Sequence, residues 1–397
     1  MGPVTTASRT PLMQAQRNAT ASSVLRSLLR HGPQGRKRLA ESSAASFTTI
    51  TKIAADLLAV GALREVAPVR NGSAGGGRPE TPLDLPGGER LVVGTHIHPD
   101  RNTTGVFDLR GNEVLRRSVP HGERSFDAVV RSALTLTQES LAAATGRVVG
   151  VGVATGGGWP DAPGLPRTGP NQWRMAELLD LFGDAVDVAV RVDTNVRALA
   201  LEQHWWHGRG GEVLTIFVGR SVGIAQMSGD LLRGGRFGWG GSIAHLTVPG
   251  SQARCECGAV GCLDATCGDN ALLAKAAEQG ILPPDAPQSA LSGDDPGLQL
   301  LRRQRAEALG RALPIVIRLV EPDVTILHGG ADVARAVALA EQRYHLLAGA
   351  DAAIEHHQGD RRGWCRTSAA LALDSYLAAP WDVEESYSTG FSGVAGT

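Results

Sequence analysis

The chain has few cysteines, no long apolar run and almost no net charge. Only five of its 397 residues are cysteines, which excludes the dense disulfide framework of small secreted domains. No stretch approaches the roughly 18 consecutive apolar residues that a membrane-spanning helix needs, and the first residues lack a signal-peptide pattern. We therefore expect a cytoplasmic protein that makes no membrane contact and has enough chain for two or three domains.

The net charge of −1 conceals an uneven distribution along the chain. Residues 1–83 contain eleven Lys and Arg against four Asp and Glu, a balance of +7, and the remaining residues therefore carry −8. A small basic segment joined to a larger acidic one indicates that only the N-terminal part meets a polyanion. This distribution predicts a nucleic-acid-binding module at the N-terminus.

Three helices are predicted within the first sixty residues. Residues 20–31 carry their apolar side chains on one helical face, and a Gly-Pro pair stops that helix. Residues 35–42 form a short second helix, and Ser46 is a suitable N-cap for a third. The third helix has the spacing of a buried stripe at Ile50, Ile53, Ala54, Leu57 and Leu58. A helix, a turn and a second helix with polar residues at its start is the arrangement that reaches base edges in a major groove.

Two short strands at residues 63–66 and 81–85 flank a glycine-rich tip and complete a winged helix-turn-helix, which we assign to residues 18–86. The residues expected to contact DNA lie on the second and third helices and in the wing: Arg36, Lys37, Ser46, Phe47, Thr48, Thr51, Lys52 and Arg78. The alternative is a helical bundle used for dimerisation, but the basic charge and the wing favour DNA.

Several of these DNA contacts have simpler explanations. An exposed Phe47 would meet a thymine methyl group, whereas a buried one would pack in the corner between the helices. Arg36 and Lys37 suit phosphate contacts, although a solvated charge run has the same sequence. Arg78 belongs to a Gly-Arg-Pro that either enters a minor groove or lies in a flexible linker. The sequence leaves these alternatives open.

A metal site is predicted from the spacing of three cysteines and a histidine. Cys255, Cys257 and Cys262 lie within eight consecutive positions, and His245 precedes them. Three thiolates and one imidazole form a tetrahedral ligand set for structural zinc, and the glycines in the loop let it curl around the ion. A local disulfide and unrelated buried thiols are the alternatives, but a Cys-x-Cys pair is too short to bridge easily. The spacing favours Zn2+.

The same segment resembles the signature of the ROK family, which comprises repressors, open reading frames and sugar kinases. Residues 255–264 resemble the family's Cys-x-Cys-Gly-x-x-Gly-Cys-x-Glu, with aspartate at the end. Residues 241–245 resemble its Gly-Glu-x-Gly-His segment, with serine in place of glutamate. The order of modules, a winged helix followed by a larger body, is also similar. The resemblance implies a two-lobed, actin-like ATPase body of the sugar-kinase type, and the alternation of strand and helix patterns independently indicates an α/β architecture.

The resemblance implies that the chain is divided into four parts. The winged helix-turn-helix at residues 18–86 precedes a ROK-type body at residues 87–380, which binds the effector and forms the oligomer. The body has a lobe boundary near residue 200 and a C-terminal helix that returns to the first lobe. Residues 1–17 and 381–397 are expected to be disordered tails.

Two motifs that hold nucleotide phosphates in ROK kinases are altered in this sequence. The family's Asp-x-Gly-Gly-Thr-Lys corresponds to residues 96–101, His-Ile-His-Pro-Asp-Arg, which lack the acid and both glycines. The family's Gly-Thr-Gly-Ile-Gly corresponds to residues 219–223, where Arg220 would occupy the place of the nucleotide. Phosphoryl transfer needs a backbone cradle and a metal-binding acid. The resemblance therefore implies a body without catalytic residues and without kinase activity.

The sugar-binding side of the cleft is better preserved. Asp193 and Asn195 match the family's Asn-Asp-x-Asn, whose aspartate is the base in kinases and binds a sugar hydroxyl in repressors. The resemblance implies a ligand site formed by Asp193, Asn195, Ser242, His245 and Asp264. Val192 and Ser242 replace an asparagine and a glutamate of the family, so either the ligand is less hydroxylated than glucose or inducer binding is lost. Asp193 alone is also a common helix-capping residue.

The leading hypothesis is a homo-oligomeric transcriptional regulator, a repressor in its simplest form, whose body senses a carbohydrate-like molecule. As a homodimer or homotetramer it would bind two half-sites of a double-stranded DNA operator at the nucleoid, and occupancy of the cleft would change their spacing. Two alternatives stay open. One is a divergent ATP-dependent sugar kinase with a basic appendage, and the other is a ligand-independent regulator with a vestigial cleft.

Overall fold

The computed structural model describes residues 11–67, 81–98, 100–123, 125–156, 158–159, 173–234, 243–330, 332–336, 338–339, 342, 353–357 and 363–383. From the N-terminus these residues form a three-helix head with a two-stranded wing, then a five-stranded sheet, then a second five-stranded sheet. None of the helices in these ranges combines the length and apolarity needed to cross a membrane.

Glycines and a serine set the ends of the helices in the head. These helices are α1 (Pro11–His31), α2 (Arg36–Ser42) and α3 (Phe47–Ala59). Gly32 and Gly61, which follow α1 and α3, have φ angles of 72° and 71°, a conformation that glycine adopts without steric cost. The Ser46 side chain accepts a hydrogen bond from the Thr49 amide at 3.1 Å and caps α3 as predicted. The buried face of α3 carries most of the predicted stripe: Ile50, Ile53, Ala54 and Leu57.

The wing consists of two short antiparallel strands, β1 (Arg64–Glu65) and β2 (Leu83–Asp84). They lie inside the predicted ranges and are shorter than predicted. Gln34 and Leu83 exchange backbone hydrogen bonds of 2.9 and 2.8 Å, so β2 is also fixed to the turn between α1 and α2. The tip of the wing, which includes Arg78, lies outside the described residues.

The prediction of disordered tails was wrong for residues 11–17 and 381–383. The first range belongs to α1, and the second forms a helical turn in which Trp381 is 1% exposed. The Arg17 guanidinium lies 3.5 Å from the centroid of the Trp381 ring. The Asn18 side chain accepts a hydrogen bond from the Trp381 amide at 3.2 Å. The two segments therefore order each other across the length of the chain, and composition alone does not reveal such a contact.

The first lobe is built on a sheet with strand order β5-β4-β3-β6-β9, in which β5, β4 and β3 are antiparallel and the others parallel. Its strands are β3 (Arg90–His98), β4 (Arg101–Asp108), β5 (Glu113–Pro120), β6 (Arg147–Thr155) and β9 (Val190–Thr194). One face packs against α4 (Phe126–Ala142) and α5 (Met175–Ala185), and the other against the C-terminal helix (Trp364–Ala378). The short strands β7 (Gly158–Trp159) and β8 (Trp173–Arg174) form a separate parallel pair. The C-terminal helix thus packs on the sheet of the first lobe.

The second lobe repeats the same order of strands as β12-β11-β10-β13-β14. Its strands are β10 (Glu212–Val218), β11 (Val222–Ser228), β12 (Leu231–Leu232), β13 (Val324–His328) and β14 (Ala353–His357). Its helices are α7 (Leu263–Cys267), α8 (Asp269–Glu278) and α9 (Pro296–Val320), with a 3-10 turn at Gln288–Ser292. Helix α6 (Asn195–His207) contacts the C-terminal helix on one side and β10 and β11 on the other, so it joins the two lobes.

The C-terminal helix lies against the first sheet at two glycines. A β-carbon at Gly94 of β3 would overlap the Cys365 carbonyl oxygen and the Ala369 amide nitrogen. A β-carbon at Gly152 of β6 would overlap the Ser368 carbonyl oxygen. Since these neighbours are backbone atoms, they cannot rotate away. The absence of side chains at these two positions therefore sets the distance between helix and sheet.

Replacing Gly94 by alanine is expected to lower the free energy of unfolding by about 2 kcal/mol or more, because the helix must move away from β3. Gly122→Ala is the matched control, since no atom lies within 4 Å of a β-carbon at that position. Chemical denaturation of the two variants and the parent measures the difference. Equal loss of stability in both variants would contradict this account of the contact.

Candidate functional site

The predicted metal ligands lie on a tight loop between β12 and α7. Gly258 and Gly261 have φ angles of 89° and 86°, which turn the chain back twice within four residues. The amide of Cys255 donates to the Ala259 carbonyl at 2.9 Å, and the amide of Gly261 donates to the Ala253 carbonyl at 2.7 Å. These bonds fold the loop so that its three cysteine side chains face the same point.

The four donor atoms of His245, Cys255, Cys257 and Cys262 all lie within 4.8 Å of one another. Cys257 Sγ is 3.7 Å from Cys262 Sγ, and Cys255 Sγ is 3.6 Å from His245 Nδ1. Zinc bonds of about 2.3 Å to sulfur and about 2.0–2.1 Å to nitrogen would give tetrahedral edges of about 3.8 and 3.6 Å. The cluster can therefore hold a tetrahedral metal ion, with Nδ1 as the histidine donor.

The three cysteines of this loop must lose their protons in order to bind a metal ion. Burial raises the pKa of the Cys262 thiol to about 12 and raises the pKa of Cys255 as well. Hydrogen bonding to the backbone of Ala259 lowers the pKa of the exposed Cys257. Metal ligation requires all three thiolates, and a divalent ion supplies the positive charge that stabilises them.

Asp264 ties this loop to the turn between β10 and β11. Its Oδ1 accepts a hydrogen bond from the Val222 amide at 2.7 Å, and its own amide donates to the Ala244 carbonyl at 2.9 Å. Burial raises the pKa of Asp264 to about 6, and the Val222 amide and the nearby His245 offset part of that rise. The structure thus places Asp264 near His245. It also gives Asp264 a bond that the sequence did not indicate.

Asp193 is held by arginines. Arg197 Nε lies 2.8 and 2.9 Å from its two carboxylate oxygens, and Oδ1 also accepts from the Thr194 amide at 2.8 Å. The Arg191 guanidinium is 3.7 Å from Oδ2. The sequence signal for this pairing was the i,i+4 spacing of Asp193 and Arg197, which sequence reasoning missed.

The remaining predicted ligand residues are Asn195 and Ser242. Asn195 is buried in the first turn of α6, next to His96. Ser242 lies outside the described residues. A direct convergence of Asp193, Asn195, Ser242, His245 and Asp264 on one molecule therefore stays a prediction.

His96, which the family resemblance aligns with the kinase acid, lies near the end of β3. It is buried, and its ring is stacked on Trp364 with centroids 5.1 Å apart. Burial, together with the neighbouring His98, lowers the pKa of His96 to about 3. A neutral imidazole carries no negative charge with which to bind Mg2+ beside nucleotide phosphates. The charge of this side chain therefore differs from that of an aspartate.

The predicted DNA-binding residues of α3 form an accessible surface. Phe47 is 56% exposed, which excludes packing of its side chain in the corner between the helices. Ser46, Thr48, Thr51 and Lys52 are also exposed. Arg36 is bonded to Glu65 of the wing at 3.1 Å, an ion pair that the sequence did not indicate, and Lys37 is exposed beside it. The N-terminal turns of α3 thus present one apolar, one basic and several hydroxyl groups to solvent.

Two similarly ordered sheets joined by α6, behind a winged helix-turn-helix, define a two-lobed protein of the actin-like ATPase fold with an N-terminal head. The sequence matches the ROK family model over residues 93–352, and the chain belongs to the ROK family. The relatives described below include both transcriptional regulators and a sugar kinase, as the family signature leads one to expect.

Relatives in sequence are named as regulators. A transcriptional regulator of Mycobacterium tuberculosis is 28% identical over 337 residues, which cover 79% of this chain and 75% of the relative. NagC, a DNA-binding transcriptional dual regulator of Escherichia coli, is 24% identical over 330 residues, which cover 78% of this chain and 80% of NagC.

Solved structures show the same fold with and without the head. A ROK family transcriptional regulator, a homologue of the E. coli MLC protein, superposes with a TM-score of 0.73 at 20% identity and covers 94% of this chain and 100% of its own. The ROK hexokinase from Thermus thermophilus superposes with a TM-score of 0.58 at 23% identity and covers 72% of this chain and 99% of its own. The larger share of the chain matched by the regulator is consistent with the presence of the head.

Titration with Co2+ is expected to show one equivalent of bound ion per chain with a tetrahedral thiolate spectrum, because the four donors have that geometry. Cys262→Ser should abolish this spectrum. Cys365→Ala is the matched control, since this buried cysteine lies on the C-terminal helix away from the loop. A spectrum that survives in Cys262→Ser, or an octahedral one in the parent, would show that these residues are not the ligands.

Proposed function

We propose that the protein is a DNA-binding transcriptional regulator whose kinase-like body senses a sugar or a sugar-like molecule and transfers no phosphate. The observation that carries this proposal is the neutral, buried His96 at the acid position of a kinase-like cleft, in a chain that also has an exposed recognition helix. Such a protein acts in the cytoplasm, at the nucleoid. The names of its relatives support regulation as its role.

The exposed turns of α3 are the proposed contacts with base edges. Thr48 and Thr51 offer hydroxyl groups, and Phe47 offers an apolar surface for a thymine methyl group. Lys37 and Lys52 are proposed to contact phosphates, with Arg36 and Arg78 of the head as further candidates. The excess positive charge of residues 1–83 supports binding to DNA over use of the head as a dimerisation bundle.

The proposed effector site comprises Asp193, Asn195, Ser242, His245 and Asp264. Since Arg197 already occupies both oxygens of Asp193, a polyol must either displace this arginine or bind to the pair. His245 would bind the metal through Nδ1 and direct its other edge toward the effector. The replacement of family polar groups by Val192 and Ser242 supports an effector with fewer hydroxyl groups than glucose.

Zinc is the proposed occupant of the Cys3His cluster, because three thiolates and an imidazole select this ion in tetrahedral sites. Its role is structural: it would cross-link the loop that carries His245 and so orient the ring. We further propose a homodimer or homotetramer, with residues 11–86 of each copy as the DNA-binding head. Two heads would then meet two half-sites of one operator.

Replacing Lys52 by glutamine is expected to lower the affinity for duplex DNA about 8-fold at 0.1 M salt, because one counterion fewer is released. The probe is the duplex that the parent protein retains from a random pool, and fluorescence anisotropy over a range of salt concentrations measures the affinity. Arg303→Gln on the exposed face of α9 is the control and should leave the affinity unchanged. An equal effect of both substitutions would indicate non-specific charge attraction instead of binding by α3.

Incubation of the pure protein with ATP, Mg2+ and a panel of hexoses is expected to release no sugar-dependent ADP. The physical reason is that His96 is neutral above about pH 3 and cannot replace the kinase acid. A ROK kinase assayed under the same conditions is the control. Sugar-dependent ADP release by this protein would establish the alternative, a divergent sugar kinase.

A further inference from the structure

Helix α1 of the head lies across both lobes. Its apolar side chains belong to the core shared with the C-terminal helix of the first lobe, and this set is Ala21, Val24, Leu25, Leu28 and Leu29. On another side, Arg26 and Arg30 extend over the ring of Trp205 in α6, with their guanidinium carbons 5.1 and 5.3 Å from its centroid. Both arginines continue to the second lobe.

Asp230 receives these arginines at the turn between β11 and β12. Its carboxylate accepts hydrogen bonds from Arg26 at 3.1 Å and from Arg30, and His204 Nε2 lies 3.1 Å away. Partial burial alone would raise the pKa of Asp230, but His204 and the two guanidiniums outweigh burial and hold the pKa well below its ordinary value. The carboxylate is therefore charged at neutral pH and binds the head to the second lobe.

Other polar contacts bind the head to the first lobe. Arg110, in the turn between β4 and β5, donates to the carbonyls of Leu28 and Leu29 at 3.4 Å and pairs with Asp84 of the wing. Arg90 of β3 donates to the Val60 carbonyl beyond α3. Because the head is bonded to both lobes, a movement of one lobe relative to the other must strain or break one set of contacts.

The short segment that contains Asp230 is also bonded to the cleft. Arg197, which binds Asp193, donates through Nη1 to the Arg233 carbonyl at 2.8 Å. The Arg233 amide donates to the Gln226 carbonyl of β11 at 2.8 Å. Residues 230–233 thus contact the head at one end, where Asp230 binds Arg26 and Arg30. At the other end the Arg233 carbonyl binds Arg197, and β12 lies between the two contacts.

We propose that residues 230–233 couple the effector cleft to the DNA-binding head. This inference rests on the proposed function, because it takes Asp193 as part of the effector site. An effector that competes for Asp193 weakens its bond to Arg197, and Arg197 then holds the Arg233 carbonyl less firmly. The segment shifts, and Asp230 at its other end changes its contact with Arg26 and Arg30. By thermodynamic reciprocity, DNA that fixes the head must alter the affinity of the cleft for its ligand.

Hydrogen exchange of the full-length protein tests this coupling without knowledge of the effector. Three variants are compared with the parent: Arg197→Gln, Asp230→Asn and the double variant. Arg197→Gln breaks the bond at the cleft and is expected to speed amide exchange in α1 about threefold. Glu139→Gln removes an exposed ion pair with Arg117 on the first lobe and is the control that should leave α1 unchanged.

The double variant separates coupling from independent damage. If the signal passes through Asp230, Arg197→Gln adds no further exchange in α1 once Asp230→Asn is present, whereas independent effects multiply. Exchange in β3 should match the parent in all variants, which excludes global unfolding as the cause. The coupling is overturned if Arg197→Gln leaves α1 unchanged or if the effects multiply. If the parent retains no duplex from a random pool, the proposed function fails while the exchange result still stands.

Discussion

The contact between the C-terminal helix and the first sheet is the constraint on which the other features depend. The helix approaches β3 and β6 at Gly94 and Gly152, where a side chain would meet its backbone. Helix α6 packs against the C-terminal helix, and α1 packs across both. The DNA-binding head is therefore a continuation of the core of the first lobe. For this reason a change within the body has a direct physical route to the head.

The metal cluster and the cleft are linked in the same way. The loop that carries Cys255, Cys257 and Cys262 is bonded through Asp264 to the turn between β10 and β11. In the first lobe, the buried His96 is neutral and stacked on Trp364. A metal ion bound to the cluster would therefore also stabilise the contact between this loop and the second sheet.

Much of the fold was predictable because its signals are local. The stripe of α3, its Ser46 cap and the strands β3, β6, β10 and β13 follow from periodicity and turn residues, and the structure has them in place. The grouping of His245, Cys255, Cys257 and Cys262 was predictable from donor type and spacing. The pairing of Asp193 with Arg197 had a local signal that was overlooked. The ordering of residues 11–17 by Trp381 had none, because the two partners are more than 360 residues apart.

The sequence by itself determined the winged helix-turn-helix and the Cys3His cluster, since each depends on residue types within a short stretch. The tertiary structure alone decided that α1 bridges the lobes, that Asp230 receives Arg26 and Arg30, and that the neutral His96 is stacked on Trp364. These contacts join residues far apart in sequence. Burial and the approach of charges, which decide whether a carboxylate or an imidazole is charged and what it can bind, exist only after the chain has folded.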